Sequence, residues 1–200
     1  MTTIREHLDF LASVGLTGAH VSAVSRADWR QLPYHNAEHC FQTAERAAAL
    51  ASHVGVDPAP LVLAGLYHDA DHRGPGLPDT NQVENAVTWW LMEGRHREWE
   101  HRTILILDRP PRRELRPEQE WPTWIDEVPR LIRATCWPHS PTDRLDELVL
   151  RDADLAQTLQ PGWLELFEAE TGQPADPNFA ASHLHWPEFF GLPPKEHSLT

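Results

Sequence analysis

The sequence predicts an all-α fold, on three observations. Its apolar residues recur at helical spacing, and the two-residue alternation of a half-buried strand is missing. Asn, Asp and Pro stand at the starts of several apolar segments, where they cap or open a first turn. The short runs that strand composition would favour, LVL at 61–63 and TILIL at 103–107, lie inside longer helical patterns.

Taken in order, Asn36 is the expected N-cap of an alanine-rich helix over 37–54. Asp57 and Pro58 open the next, an apolar helix that runs into LYHDADH at 66–72. Two glycines and two prolines make residues 73–80 a loop. A helix over 81–94 is expected to end near Gly94, followed by one over 96–107. The prolines and charges of 108–123 read as a surface loop. Helices are expected over 124–137 and 141–159, the second burying a stripe of Leu145, Leu148, Val149 and Leu155. Two short segments, 162–171 and 178–190, close the chain.

Two hundred residues suit a single domain, expected over 1–200 as a helical bundle. Its motif-bearing core spans roughly 30–160, with 161–200 as a helical extension. No run approaches the ~18 apolar residues of a membrane span, so no membrane partner is expected. The N-terminus has no apolar signal core, which suggests a cytoplasmic protein. Cys40 and Cys136 are then thiols rather than a disulfide. A net charge of −13 argues against binding long nucleic acid, which relies on basic surface. It is compatible with a small phosphorylated substrate when a cation supplies local positive charge. The oligomeric state is open, a homo-oligomer included.

LYHDADH closes an apolar helix with four titratable side chains, which are costly to bury without partners. Two other clusters supply them. YHNAEH carries His35 and His39 four residues apart, on or near one helix face. RDADL carries Asp152 and Asp154 in a late helix. Each pattern alone is compatible with a solvated helix face. In this order they make a site for a borderline divalent cation, which imidazoles and carboxylates suit. Adjacent residues on a helix point ~100° apart. His68 and Asp69 can therefore share an ion only where the helix ends, and the loop after them provides that end.

The set YHNAEH, LYHDADH, TNQVENA, ATCWPH and RDADL resembles the HD-domain superfamily of metal-dependent phosphohydrolases, in its small stand-alone bacterial form. The resemblance implies metal ligands at His39, His68, Asp69 and Asp154. Asp154 is preferred because it directly precedes Leu155, which leaves Asp152 as a supporting or capping residue. His35 matches a position that gives a proton to the leaving oxygen in phosphodiesterases of similar motif. Two-metal members add histidines, and Asn81 stands where the first would fall. The implied cofactor is thus one divalent transition metal (Mn, Fe, Co, Ni or Zn). A second, weaker Mg or Mn site is left open through Asp69, Glu84 and His139. His96 and His101 match no added position and read as exposed.

The implied activity is hydrolysis of a nucleotide or other small phosphate ester by a metal-held hydroxide. His72 is a candidate to polarise the water or contact phosphate, and Arg73 to supply a cation. Tyr34 and Trp137 are candidate substrate contacts, and Trp89, Trp90 and Trp137 a candidate stacking wall. Two other readings stand beside this one: a di-iron oxygenase of similar motif, and a non-catalytic regulatory domain with a structural metal.

Overall fold

The computed structural model describes residues 3–27, 29, 32–98 and 123–194. Among these residues it is all-α, without a strand. Its helices are α1 (Ile4–Ser13), α2 (Ala19–Ser25), α3 (Ala37–Val54), α4 (Pro58–Tyr67), α5 (Asp79–Trp89), α6 (Val128–Ala134), α7 (Leu145–Leu155), α8 (Trp163–Thr171) and α9 (Phe179–His183). None is long and apolar enough to cross a membrane.

The central pair is α3 and α4, with α7 packed on both and α6 on α4. Asn36 caps α3 by accepting the His39 N–H, and Asp57 caps α4 by accepting that of Ala59. Every α4 residue from Pro60 to Tyr67 is buried, as an apolar helix at the centre of a bundle requires. Ala44, Ala47, Ala48 and Ala51 give α3 a shallow face that lets α4 come close. At the nearest point Gly65 lies against Ala44, where an added Cβ would sit 2.9 Å from the Ala44 Cα. Gly65→Ala is therefore expected to force the helices apart and cost about 2 kcal/mol, the usual penalty of overpacking a close contact. Chemical denaturation measures this, and an unchanged midpoint with normal slope would refute the close approach.

Several elements differ from the sequence reading. Helix α5 runs through a π-helical turn at Trp90–Gly94, and residues 95–98 remain helical. Gly94 is no stop signal: the Trp90 and Tyr67 rings fill the space its side chain would need. The helix expected over 124–137 is a 3-10 turn, Thr123–Asp126, followed by α6 with Pro129 in its first turn. Helix α7 stops at Leu155 and tightens into a 3-10 turn, Ala156–Leu159. Its buried face holds Val149, Leu150 and Ala153, while Leu145 is half exposed. The TILIL run, His101 and nearly all of the loop expected at 108–123 lie outside the described residues.

Arg130 ties α6 to α7, reaching Glu127, Asp146 and Glu147 at 2.7, 2.5 and 2.6 Å. Burial opposes ionisation of Asp146, but Arg144 and Arg130 outweigh it and lower its pKa. A lowered carboxylate pKa stabilises the fold above the unfolded value of ~3.9, and that contribution fades as pH falls through the native pKa. Arg130→Ala should cost about 1 kcal/mol at pH 7, a modest figure because the network is partly solvated. The gap between wild type and variant should narrow as pH falls through the lowered pKa of Asp146. Urea melts across pH check this, and a gap independent of pH would contradict it.

Candidate metal centre

The His39 side chain projects from the first turn of α3, with its main chain held by the Asn36 cap at 3.0 Å. Helix α4 ends at Tyr67, with His68 as its C-cap. The chain then turns through Ala70, whose N–H donates to the Tyr67 carbonyl, and His72, whose N–H donates to that of Asp69. Asp71 takes a left-handed conformation, φ 63°, which aspartate tolerates better than most residues. Gln82 on α5 pins this turn, accepting the Arg73 N–H at 2.9 Å and donating to the Gly74 carbonyl at 2.6 Å. Asp154 comes from the last turn of α7.

These elements bring one atom from each of the four residues together. The His39 and His68 Nε2 atoms lie 3.1 Å apart. Asp69 Oδ2 is 3.1 and 3.0 Å from them, and Asp154 Oδ1 is 3.1 and 3.3 Å. Metal bonds of ~2.1 Å place neighbouring ligands about 3.0–3.4 Å apart, so the spacing of His39, His68 and Asp69 fits one cation, with Asp154 Oδ1 against the same two imidazoles. The chemistry of the donors agrees. His68 Nδ1 donates to the Gly65 carbonyl at 2.8 Å, so the neutral ring offers a lone pair at Nε2, the usual arrangement of a metal-bound histidine. Burial opposes charge here, but Asp69 and Asp154 hold the His68 pKa well above its ordinary value. Both carboxylates, against the same burial, are held well below theirs by the imidazoles. Two partly buried carboxylates against two buried imidazoles thus favour a cation among them, either a proton on His68 or a metal ion.

Beside this set stands a second cluster of His35, His72 and Glu170. Glu170, from α8, accepts His35 Nδ1–H at 2.5 Å and the backbone N–H groups of Tyr34 and His35 at 2.8 and 3.0 Å. Burial opposes protonation of His35, but Asp69 and then Glu170 raise its pKa. The His72 ring stacks on that of His35 at 3.9 Å and 9°. His72 Nδ1 accepts the Gly74 N–H at 3.1 Å, so neutral His72 carries its proton on Nε2. Burial, then the charge of His35, lowers its pKa to about 4. This cluster suits proton donation better than metal ligation: one ring is committed to Glu170 and the other to Gly74.

Three sequence assignments need correction. Arg73 does not line the cavity; its guanidinium pairs with Asp71 at 2.9 Å, because the left-handed turn brings that carboxylate to it. Glu84 is exposed on α5 and held by two hydrogen bonds from Arg133, at 2.6 and 2.9 Å. His139 lines the cavity but joins no ligand cluster among the described residues. The second metal site through Asp69, Glu84 and His139 is thus not assembled. Trp90 is core, against Tyr67, and of the three candidate stacking tryptophans only Trp137 lines the cavity.

Asp152 is fully buried and faces away from the cation site. It accepts the N–H groups of His185 and Trp186 at 2.6 and 2.8 Å and pairs with the His185 ring at 2.9 Å. It therefore fastens the C-terminal segment to α7. Glu170 and Gln82 gave no local signal in the sequence.

The two clusters share a cavity of about 540 Å³, whose wall includes Tyr34, His35, Asp69, His72 and Asp154. Arg151 steadies that wall by donating to the carbonyls of Ala134 and Ser140 at 2.7 and 2.8 Å. Residues 36–99, which contain His39, His68 and Asp69, match the family model of the HD domain. No curated protein matches the chain. The all-α bundle, the histidine–aspartate pair at the end of α4 and this match agree: residues 36–99 carry an HD domain, consistent with a member of the HD-domain superfamily.

Proposed function

We propose that the protein is a metal-dependent phosphohydrolase acting on a small phosphate ester, with residues 1–200 working as one domain. The observation that carries this reading is the approach of Asp69 and Asp154 to the His39 and His68 imidazoles at 3.0–3.3 Å, with both carboxylates and His35 lining one cavity. HD domains are largely metal-dependent hydrolases, which agrees with it. A divalent cation, held by those four residues, supplies Lewis acidity toward water and neutralises phosphoryl charge.

The other residues have roles that follow from their hydrogen bonds. His35 holds a proton and gives it to the leaving oxygen, and Glu170 fixes its ring and keeps the imidazolium stable. His72 offers its Nε2–H to a phosphoryl oxygen. Tyr34 stays a phenol, since burial and then Asp154 raise its pKa, and so it is available as a donor. The di-iron reading draws less support, because Asn81, Glu84 and His139 do not build a second nitrogen-rich ligand set.

The test is phosphate release from a panel of monoesters, nucleoside monophosphates included, with Mn, Co, Ni or Mg added. Turnover by the wild type and none by Asp69→Ala is the expected result. A wild type that hydrolyses no ester with any of these metals would sink the reading.

A further inference from the structure

We infer that the cavity selects a phosphate monoester with a flat, uncharged apolar body, and rejects a body that carries a second negative charge. This rests on the phosphohydrolase reading and narrows its substrate class. The cavity has two unlike ends. At one, Asp69 and Asp154 form the cation site and His35 and His72 supply the donors, a complement for one phosphoryl group. The rest of the wall is largely apolar, with Leu77, Leu164, Phe167, Phe179 and Trp137 among its members. Trp137 and Phe179 meet edge to face, their ring centroids 4.9 Å apart at 68°.

Trp137 is 41% exposed despite being the largest apolar side chain of that wall. An aromatic ring left open beside a polar centre is surface that a ligand can cover, and the cavity volume is in the range of small-molecule sites. The position of Trp137 is itself built: Asp79 accepts its backbone N–H at 2.5 Å.

Charge sets the other half of the selection. Asp79 and Asp176 line the same cavity in addition to the ligand carboxylates and Glu170, and no Arg or Lys lines it among the described residues. A cation and the N–H donors of His35 and His72 offset one phosphoryl group. Beyond them the described lining residues hold no arginine or lysine to offset a second anion, which would meet Asp79 and Asp176.

Three non-hydrolysable phosphonates test this by calorimetry on the cation-loaded protein: methylphosphonate, 4-methylphenylphosphonate and 4-carboxyphenylphosphonate. The 4-methylphenyl compound should bind about tenfold or more tighter than methylphosphonate, the gain expected from burying one aromatic ring. The carboxylated ring should lose at least that gain. Trp137→Ala and Phe179→Ala should each shrink the ratio of aryl to methylphosphonate affinity. Equal binding of the methyl and aryl compounds, equal binding of the two aryl compounds, or binding of none would overturn the inference. The readout is separate from turnover: correct binding preferences in a protein that hydrolyses no ester would refute the hydrolase reading and leave the pocket's selectivity standing.

Discussion

Asp69→Ala is expected to abolish metal-dependent turnover, with a fall of at least ~10³-fold, since the cation contributes several kcal/mol of charge stabilisation at the transition state. Asp69 Oδ2 lies 3.0–3.1 Å from both Nε2 atoms, and Asp69 continues directly from the C-cap of α4. Glu84 and Asp152 are not in place to substitute, because Glu84 is held by Arg133 and Asp152 by His185 and the main chain. The same change should remove the stabilisation that a bound ion confers on the folded state. For the wild type this amounts to about 4 kcal/mol at a cation concentration a thousandfold above Kd. Thermal melts with and without Mn separate the cases. The wild-type midpoint should rise on adding the ion, and that of the variant should stay where it is. A variant that still gains stability from the ion would remove Asp69 from the site.

Glu170→Gln carries the second large effect, a loss of about 100-fold for a substrate with a poor leaving group. Both oxygens of Glu170 are engaged, one by His35 Nδ1–H and one by two backbone N–H groups. An amide has only one acceptor oxygen. Its NH₂ must face either the ring N–H or the main-chain donors, so His35 loses its orientation or its charge partner. If His35 protonates the leaving oxygen, the loss must depend on how much that oxygen needs a proton. Alkyl phosphates should suffer the full decrease. The p-nitrophenyl ester, whose leaving group departs as an anion, should lose less than about tenfold. Equal losses for both substrates would mean that Glu170 matters only to the fold of the 34–36 turn.

The candidate cation site was legible in the sequence because its residues announce themselves locally. His39 follows a capping asparagine by three positions, and His68–Asp69 interrupts an apolar helix where polar groups would otherwise be costly. Asp154 precedes Leu155 in a second acidic pair, and the resemblance, rather than spacing, ranked it above Asp152. Glu170 had no such mark. It is one of several glutamates on an amphipathic helix, and its partners lie about 135 residues away, a pairing that only the packing of α8 reveals. Gln82 and Gly65 were silent for the same reason: each acts on a segment with which it shares no sequence pattern.

The misassigned residues failed on the converse point. Arg73 and Glu84 lie close to the motif in sequence, but a left-handed turn at Asp71 and an arginine from α6 captured them. At the level of elements, caps located the starts of α3 and α4. Gly94 misled, since a glycine needed for close packing against Trp90 looks the same in sequence as one that ends a helix.

The central claim is that His39, His68, Asp69 and Asp154 hold a single divalent cation. Its most direct test is the stoichiometry of Mn bound at equilibrium dialysis, for the wild type and for His68→Ala. One ion per wild-type chain, with binding lost in the variant, is the predicted result. A wild type that retains no ion, or a variant that binds as the wild type does, would contradict it.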